Sequence, residues 1–211
     1  MKLGKYIALI LALGSVKAGA QDLPYFSPNP ATLILRYGVG IPTGGLQQQV
    51  NNTSYNGWDA ALLFHIGPHF SLGPEVEYND FYEKYPMAEY NYGASNSQIS
   101  AVVSNSIQNA PILLKGTWQF LSPTAAIRPY VGAGVGVNLV TYRQFLGEFG
   151  NYNFSRGEPA VNTEVGVNIP LTRNRRFGLN LAGQFNYLPF DEIGIANLNE
   201  FELKGGFYIP L

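Results

Sequence analysis

Between Arg128 and Tyr142 the chain alternates. Val131, Ala133, Val135, Val137 and Leu139 occupy one set of positions, and Arg128, Tyr130, Gly132, Gly134, Gly136 and Asn138 the other. A period of two over this length predicts one extended strand with two unlike faces. Helix is opposed by the three glycines and by the β-branched run. A tilted strand crosses the hydrocarbon of a bilayer in roughly 9–11 residues. This one is long enough to do so, with its apolar face toward lipid and its polar face toward an enclosed interior.

The same pattern recurs seven times. Over 32–42, Leu33, Leu35, Tyr37, Val39 and Ile41 oppose Ile34, Arg36, Gly38 and Gly40. Over 55–66, Trp58, Ala60, Leu62 and Phe64 oppose Asp59, Ala61, Leu63 and His65, and over 69–82, Phe70, Leu72, Val76 and Tyr78 oppose Ser71, Gly73, Glu75 and Glu77. A fourth strand ends at Phe120, with Ile112, Leu114 and Trp118 set against Lys115 and Thr117. The strand at 128–142 is the fifth. A sixth, 158–171, sets Val161, Val165 and Val167 against Asn162, Glu164 and Asn168. A seventh, 177–187, sets Phe177, Leu181, Phe185 and Tyr187 against Asn180, Gln184 and Asn186. The last, from Phe201, sets Phe201, Leu203 and Phe207 against Glu202, Lys204 and Tyr208.

The connections alternate in length. A polar loop at 43–53 and the segments 83–104 and 143–157 are long, and 188–197 is a medium loop. Gly67-Pro68, Ser122-Pro123-Thr124 and Thr172-Arg173-Asn174-Arg175 are short turns. Eight antiparallel strands with this asymmetry predict an all-β, up-and-down transmembrane barrel over 32–211, with outward loops long and periplasmic turns short. An even strand number lets the first and last strands pair, leaving no edge in lipid. The outward aromatics sort by height. Phe64, Phe70, Trp118, Phe120, Phe177 and Phe207 fall near the short turns, while Trp58, Tyr78, Tyr82, Phe185, Tyr187 and Phe201 fall near the long loops. Two aromatic belts around an aliphatic band are what two membrane–water interfaces select.

Residues 1–20 read as a signal peptide: Lys2 and Lys5, an apolar run from Tyr6 to Leu13, and Ala18-Gly19-Ala20 as a cleavage site before Gln21. That implies export, with residues 21–31 as a proline-bearing periplasmic arm. Removing Lys2, Lys5 and Lys17 leaves ten basic against fourteen acidic residues. This balance argues against a nucleic-acid partner. With no cysteine, the chain is neither a lipoprotein nor a disulfide scaffold.

The run Pro129-Tyr130-x-Gly132-x-Gly134-x-Gly136 resembles small eight-stranded outer-membrane β-barrels of the OmpA/OmpX type. So do Gly38-x-Gly40-Ile41-Pro42-x-Gly44 and Lys204-Gly205-Gly206-Phe207. The resemblance implies the bacterial outer membrane and a barrel without cofactor. The family's usual C-terminal aromatic is replaced here by Ile209-Pro210-Leu211, and no peptidoglycan-binding domain is expected after the last strand.

An eight-stranded barrel is just wide enough for its own side chains to fill. Arg36, Lys115, Arg128 and Lys204 are expected inside with Asp59, Glu75, Glu77, Glu164 and Glu202. Buried ions must pair or be hydrated, so these nine predict a salt-bridged plug, with Gly132, Gly134 and Gly136 leaving room for Tyr and Arg opposite. A narrow path for small solutes or ions is the alternative. His69, Ser71 and Glu75 share a face and offer the residue types of a lipid A deacylase site. They lie at the periplasmic end, away from outer-leaflet lipid A, so no enzyme is expected. His65 and His69 flank a turn without a third ligand, so no metal site is expected either. The segments 83–104 and 143–157, rich in Tyr, Asn and Gly, are candidates for a protein partner. A monomer surrounded by outer-membrane lipid is the resulting expectation. A soluble lipid-binding eight-stranded barrel would need the faces inverted.

Overall fold

The computed structural model describes residues 29–92, 97–122, 125–147, 149–172, 177–192 and 195–211. The signal-peptide reading (1–20), most of the arm (21–28) and parts of two short turns (123–124 and 173–176) lie outside the described residues. The elements are β1 (Ala31–Pro42), α1 (Gly45–Gln49), β2 (Ser54–His65), β3 (Phe70–Lys84), β4 (Ala88–Tyr92), β5 (Ser97–Ala101) and β6 (Val103–Gln119). They continue with β7 (Arg128–Leu146), β8 (Phe149–Pro170), β9 (Gly178–Tyr187), β10 (Pro189–Glu192), β11 (Ile195–Asn197) and β12 (Glu200–Pro210).

Eight strands close in the order β1-β12-β9-β8-β7-β6-β3-β2, every neighbour antiparallel. The closing seam is a full ladder from Thr32↔Pro210 to Pro42↔Glu200. The eight strands anticipated from the alternation are these eight. The two small hairpins, β4–β5 and β10–β11, stand outside the barrel ladder.

The faces divide as the alternation requires. Val135, Val165, Leu181 and Leu203 are half-exposed or more on the outer wall, while Glu164 and Lys204 are 3% and 4% exposed within. An apolar exterior around a charged interior excludes the soluble, faces-inverted barrel. Among the described residues no helix is long and apolar enough to cross a membrane. The closed ladder with its apolar outer wall is the part of the chain built to span one. Aromatic pairs mark both rims of the apolar band: Phe177 stacks on Phe207 at 5.0 Å near the short turns, and Trp58 on Tyr78 at 6.2 Å near the long loops.

All four of the longer connections depart from their sequence reading, and 83–104 holds the β4–β5 hairpin. The 43–53 segment is not simply a polar loop, because it folds into α1 and buries Leu46 and Val50. The 188–197 segment folds into the β10–β11 hairpin. The 143–157 segment is largely strand, since β7 and β8 run on to Leu146 and from Phe149. Their ladder there is secured by a Thr141 Oγ1···Ser155 Oγ contact of 3.0 Å.

Candidate functional site

Inward positions of six barrel strands build an ion-paired middle layer. Arg36 on β1 is its hub. Its Nε donates to Asp59 at 2.8 Å, Nη2 to Glu75 at 2.9 Å, and Nη1 to Glu164 at 3.0 Å and Asn180 Oδ1 at 3.1 Å. Lys115 Nζ on β6 donates to Glu75 and Glu164, each at 2.6 Å. Lys204 Nζ on β12 lies 2.9 Å from Asp59, 3.2 Å from Glu77 and 3.1 Å from Glu202. Tyr130 Oη adds a 2.6 Å bond to Glu164.

Three buried cations face six buried carboxylates, because Glu200, fully buried, joins the five anticipated acids. Amide donors take up much of the difference. Glu77 accepts from Asn162, Gln184 and Asn186 at 3.0, 2.7 and 3.2 Å. Asn79 and Asn186 each bridge Glu200 and Glu202 at 3.1–3.3 Å. Glu200 makes no ion pair among the described residues. The sequence reading began its last strand one residue later, although Glu200 has the parity of Glu202 and Lys204.

Two expectations about this layer need correction. Arg128 is not a member: its guanidinium lies over the Tyr208 ring, 5.1 Å from the centroid, at the short-turn end. The reason is register. Arg128 pairs with Asn168, whereas Gly132 pairs with Glu164, which places Arg128 four residues below the ionic layer on β7. The β7 glycines do not make room for Tyr and Arg. A side chain at Gly132 would begin 3.3 Å from Lys115 and Thr117, one at Gly134 2.5 Å from Asn162, and one at Gly136 against the Ile112 carbonyl. Room for tyrosine is made on β8 and β9 instead, where Gly166 faces Tyr130 and Gly178 faces Tyr208.

Toward the long-loop end the lumen turns apolar. Phe81, Ile107, Val140 and Tyr142 from the wall pack with Leu46 and Val50 of the α1 segment and with Leu188, Phe190, Ile195 and Leu198 of the β10–β11 segment. Asn197 ties the two loop segments together: its Oδ1 accepts from Gly45 N at 3.0 Å, and Thr43 N donates to Asn199 O at 2.9 Å. Gly44 has φ 61°, a left-handed conformation that favours glycine and turns the chain inward. Tyr85 Oη donates to Gln49 O at 2.8 Å, holding the end of α1 against the wall. The result is a cap over the ionic layer.

The three residues of the deacylase-type reading lie in separate networks. His69 Nδ1 donates to Gln119 O at 2.8 Å, and its ring stacks on Trp118. Ser71 bonds His65 Nδ1 at 2.8 Å, and Glu75 is held by Arg36 and Lys115. His65 is further engaged with Thr32 at 2.9 Å. Among the described residues no group of three or more His, Cys, Asp or Glu could hold a metal ion.

The outward-facing segments carry exposed side chains suited to contact: Met87 (70% exposed), Tyr55 and Phe145. An Arg156–Glu158 pair at 3.2 Å lies on the β8 extension.

A closed eight-stranded barrel, lipid-facing outside and ion-paired within, is a small transmembrane β-barrel of the outer-membrane type. The fold agrees with that of a solved structure. The chain is similar to Neisserial surface protein A, with a TM-score of 0.58 at 11% identity over 86% of this chain and 97% of that one. It also matches the N-terminal β-barrel domain of Pseudomonas aeruginosa OprF (TM-score 0.48, 11% identity, 86% and 97% covered). Outer membrane protein W of E. coli matches at a TM-score of 0.45 and 15% identity, with 87% and 98% covered. At these identities the likeness is one of fold. Neither a protein-family model nor a curated protein matches the sequence.

Proposed function

We propose that this protein is an integral component of a bacterial outer membrane, exported through a signal peptide cleaved after Ala20. In this reading it acts as a structural or surface-interaction protein through its long-loop end, and it does not conduct. One observation carries this: the lumen is blocked twice, by the Arg36–Lys115–Lys204 network and by the apolar cap above it. A conducting path would have to break several buried ion pairs, each costly to separate. It would also have to displace loop side chains that are fully buried. The β4–β5 hairpin and the extended β7–β8 ladder then remain as the parts that can meet a partner, in the 83–104 and 143–157 segments.

Planar-bilayer recording of the purified protein tests the blocked lumen. The expected result is no steady unitary conductance. A conductance abolished by altering Lys115 or Glu164 would establish the narrow-channel alternative instead. Photo-crosslinking from positions 87 and 145 in intact cells tests the surface role. A discrete adduct at either position is expected, whereas adducts only with lipid would leave a purely structural role.

A further inference from the structure

At the short-turn end, below the ionic layer, lies a second interior compartment of opposite character. A cavity of about 20 Å³ is enclosed by Thr32, His65, Ser71, Arg128, Asn168 and Tyr208 among others. That is room for one water or one monatomic ion, since roughly 10–15 Å³ suffices for a water. No carboxylate lines it. Ile34, Leu63 and the Tyr208 ring pack together beside it.

The unused hydrogen-bonding capacity at this end is centred on a cation. Arg128 Nε and Tyr208 Oη are both buried without a hydrogen-bond partner. His65 is already engaged through both ring nitrogens, with Thr32 and Ser71. Asn168 Oδ1 accepts from Asn180 at 2.7 Å, so the amide's remaining group on that side chain is a donor. The contrast with the layer above is direct. Arg36, Lys115 and Lys204 each touch two or three carboxylates. Arg128, which is only partly buried, touches none among the described residues, and its guanidinium lies over the Tyr208 ring. A water would satisfy the orphaned donors but bring no counter-charge to the cavity. An anion satisfies both.

We propose that this cavity binds a small monovalent inorganic anion of chloride size. Arg128 is the counter-charge, and Arg128 Nε and Tyr208 Oη are the donors. The site is separate from the ionic layer and does not depend on the surface role proposed above.

The test uses the purified protein in detergent micelles. Thermal unfolding is followed in sodium chloride, sodium bromide and sodium gluconate at constant ionic strength, and crystals grown with bromide are measured for anomalous scattering. A saturable rise in Tm with chloride and bromide but not gluconate is expected, together with a bromide peak within hydrogen-bond reach of Arg128 Nε. Arg128→Gln should abolish the response. Tyr208→Phe keeps the ring under the guanidinium and removes one hydrogen bond to an ion, so it should weaken halide affinity by about tenfold or more. If Arg128→Gln does not fold, the Tyr208→Phe titration decides. A water in place of bromide, or an unchanged halide response in either variant, overturns the proposal.

Discussion

The middle of the lumen and its outer mouth are both sealed, but by different physics. The middle is closed by long charged side chains that reach across the barrel, as Arg36 on β1 does to Glu164 on β8, three strands away around the ring. Its partners are fixed by strand register, and each ion is useful only while its counter-ions are present. The mouth is closed by apolar side chains brought in on loops, and each contributes by the surface it hides, independent of any single partner. The first kind of seal is specific and intolerant of loss. The second is additive and can be loosened in steps.

Three substitutions sharpen that contrast. The largest effect is expected from Lys115→Met. It removes one of the two cations on Glu75 and on Glu164 while leaving both acids buried, and the loss of one partner from a buried ion network costs about 3–5 kcal/mol. Equilibrium unfolding in urea with the protein in micelles would show it, and a change under 1 kcal/mol would mean that the layer is hydrated and weakly coupled. Leu46→Ala, within the cap, should cost about 2–3 kcal/mol. Its signature should be local: faster amide exchange in α1 and around Asn197, with the barrel ladders unchanged. Uniformly faster exchange would show that cap and wall unfold as one unit. The smallest effect is expected from Tyr130→Phe, which deletes the bond to Glu164 and those accepted from Arg36 Nη1 at 3.2 Å and Asn180 Nδ2 at 3.0 Å but leaves every ion pair in place, and should cost about 1.5–2 kcal/mol without altering the cap.

The two seals were also unequally legible. The eight barrel strands and eight of the nine anticipated lumen ions could be placed because period two assigns a face to every residue inside a strand. Arg128 has the correct face, yet parity carries no information about height. Its separation from the carboxylates emerges only once β7 is registered against β8. The amides Asn162 and Asn186 were legible as inward but not as bridges, because bridging depends on strands distant in the chain. The cap was not legible. Leu46 and Val50 stand in a glutamine- and asparagine-rich stretch without repeat, so nothing local distinguishes them from ordinary loop residues. Five large apolar residues between 188 and 198 were the available hint.

The seam between β1 and β12 has a consequence for how the molecule is made. Its ladder joins the two ends of the folded chain, and Asp59 near the start is clasped by Lys204 near the finish. Contacts so remote in sequence form last and slowly. Until the C-terminal segment arrives, β1 presents an unpaired hydrogen-bonding edge, and Asp59 has Arg36 as its one ion-pair partner among the described residues. A truncated or stalled polypeptide would therefore hold an open edge that hydrocarbon cannot solvate.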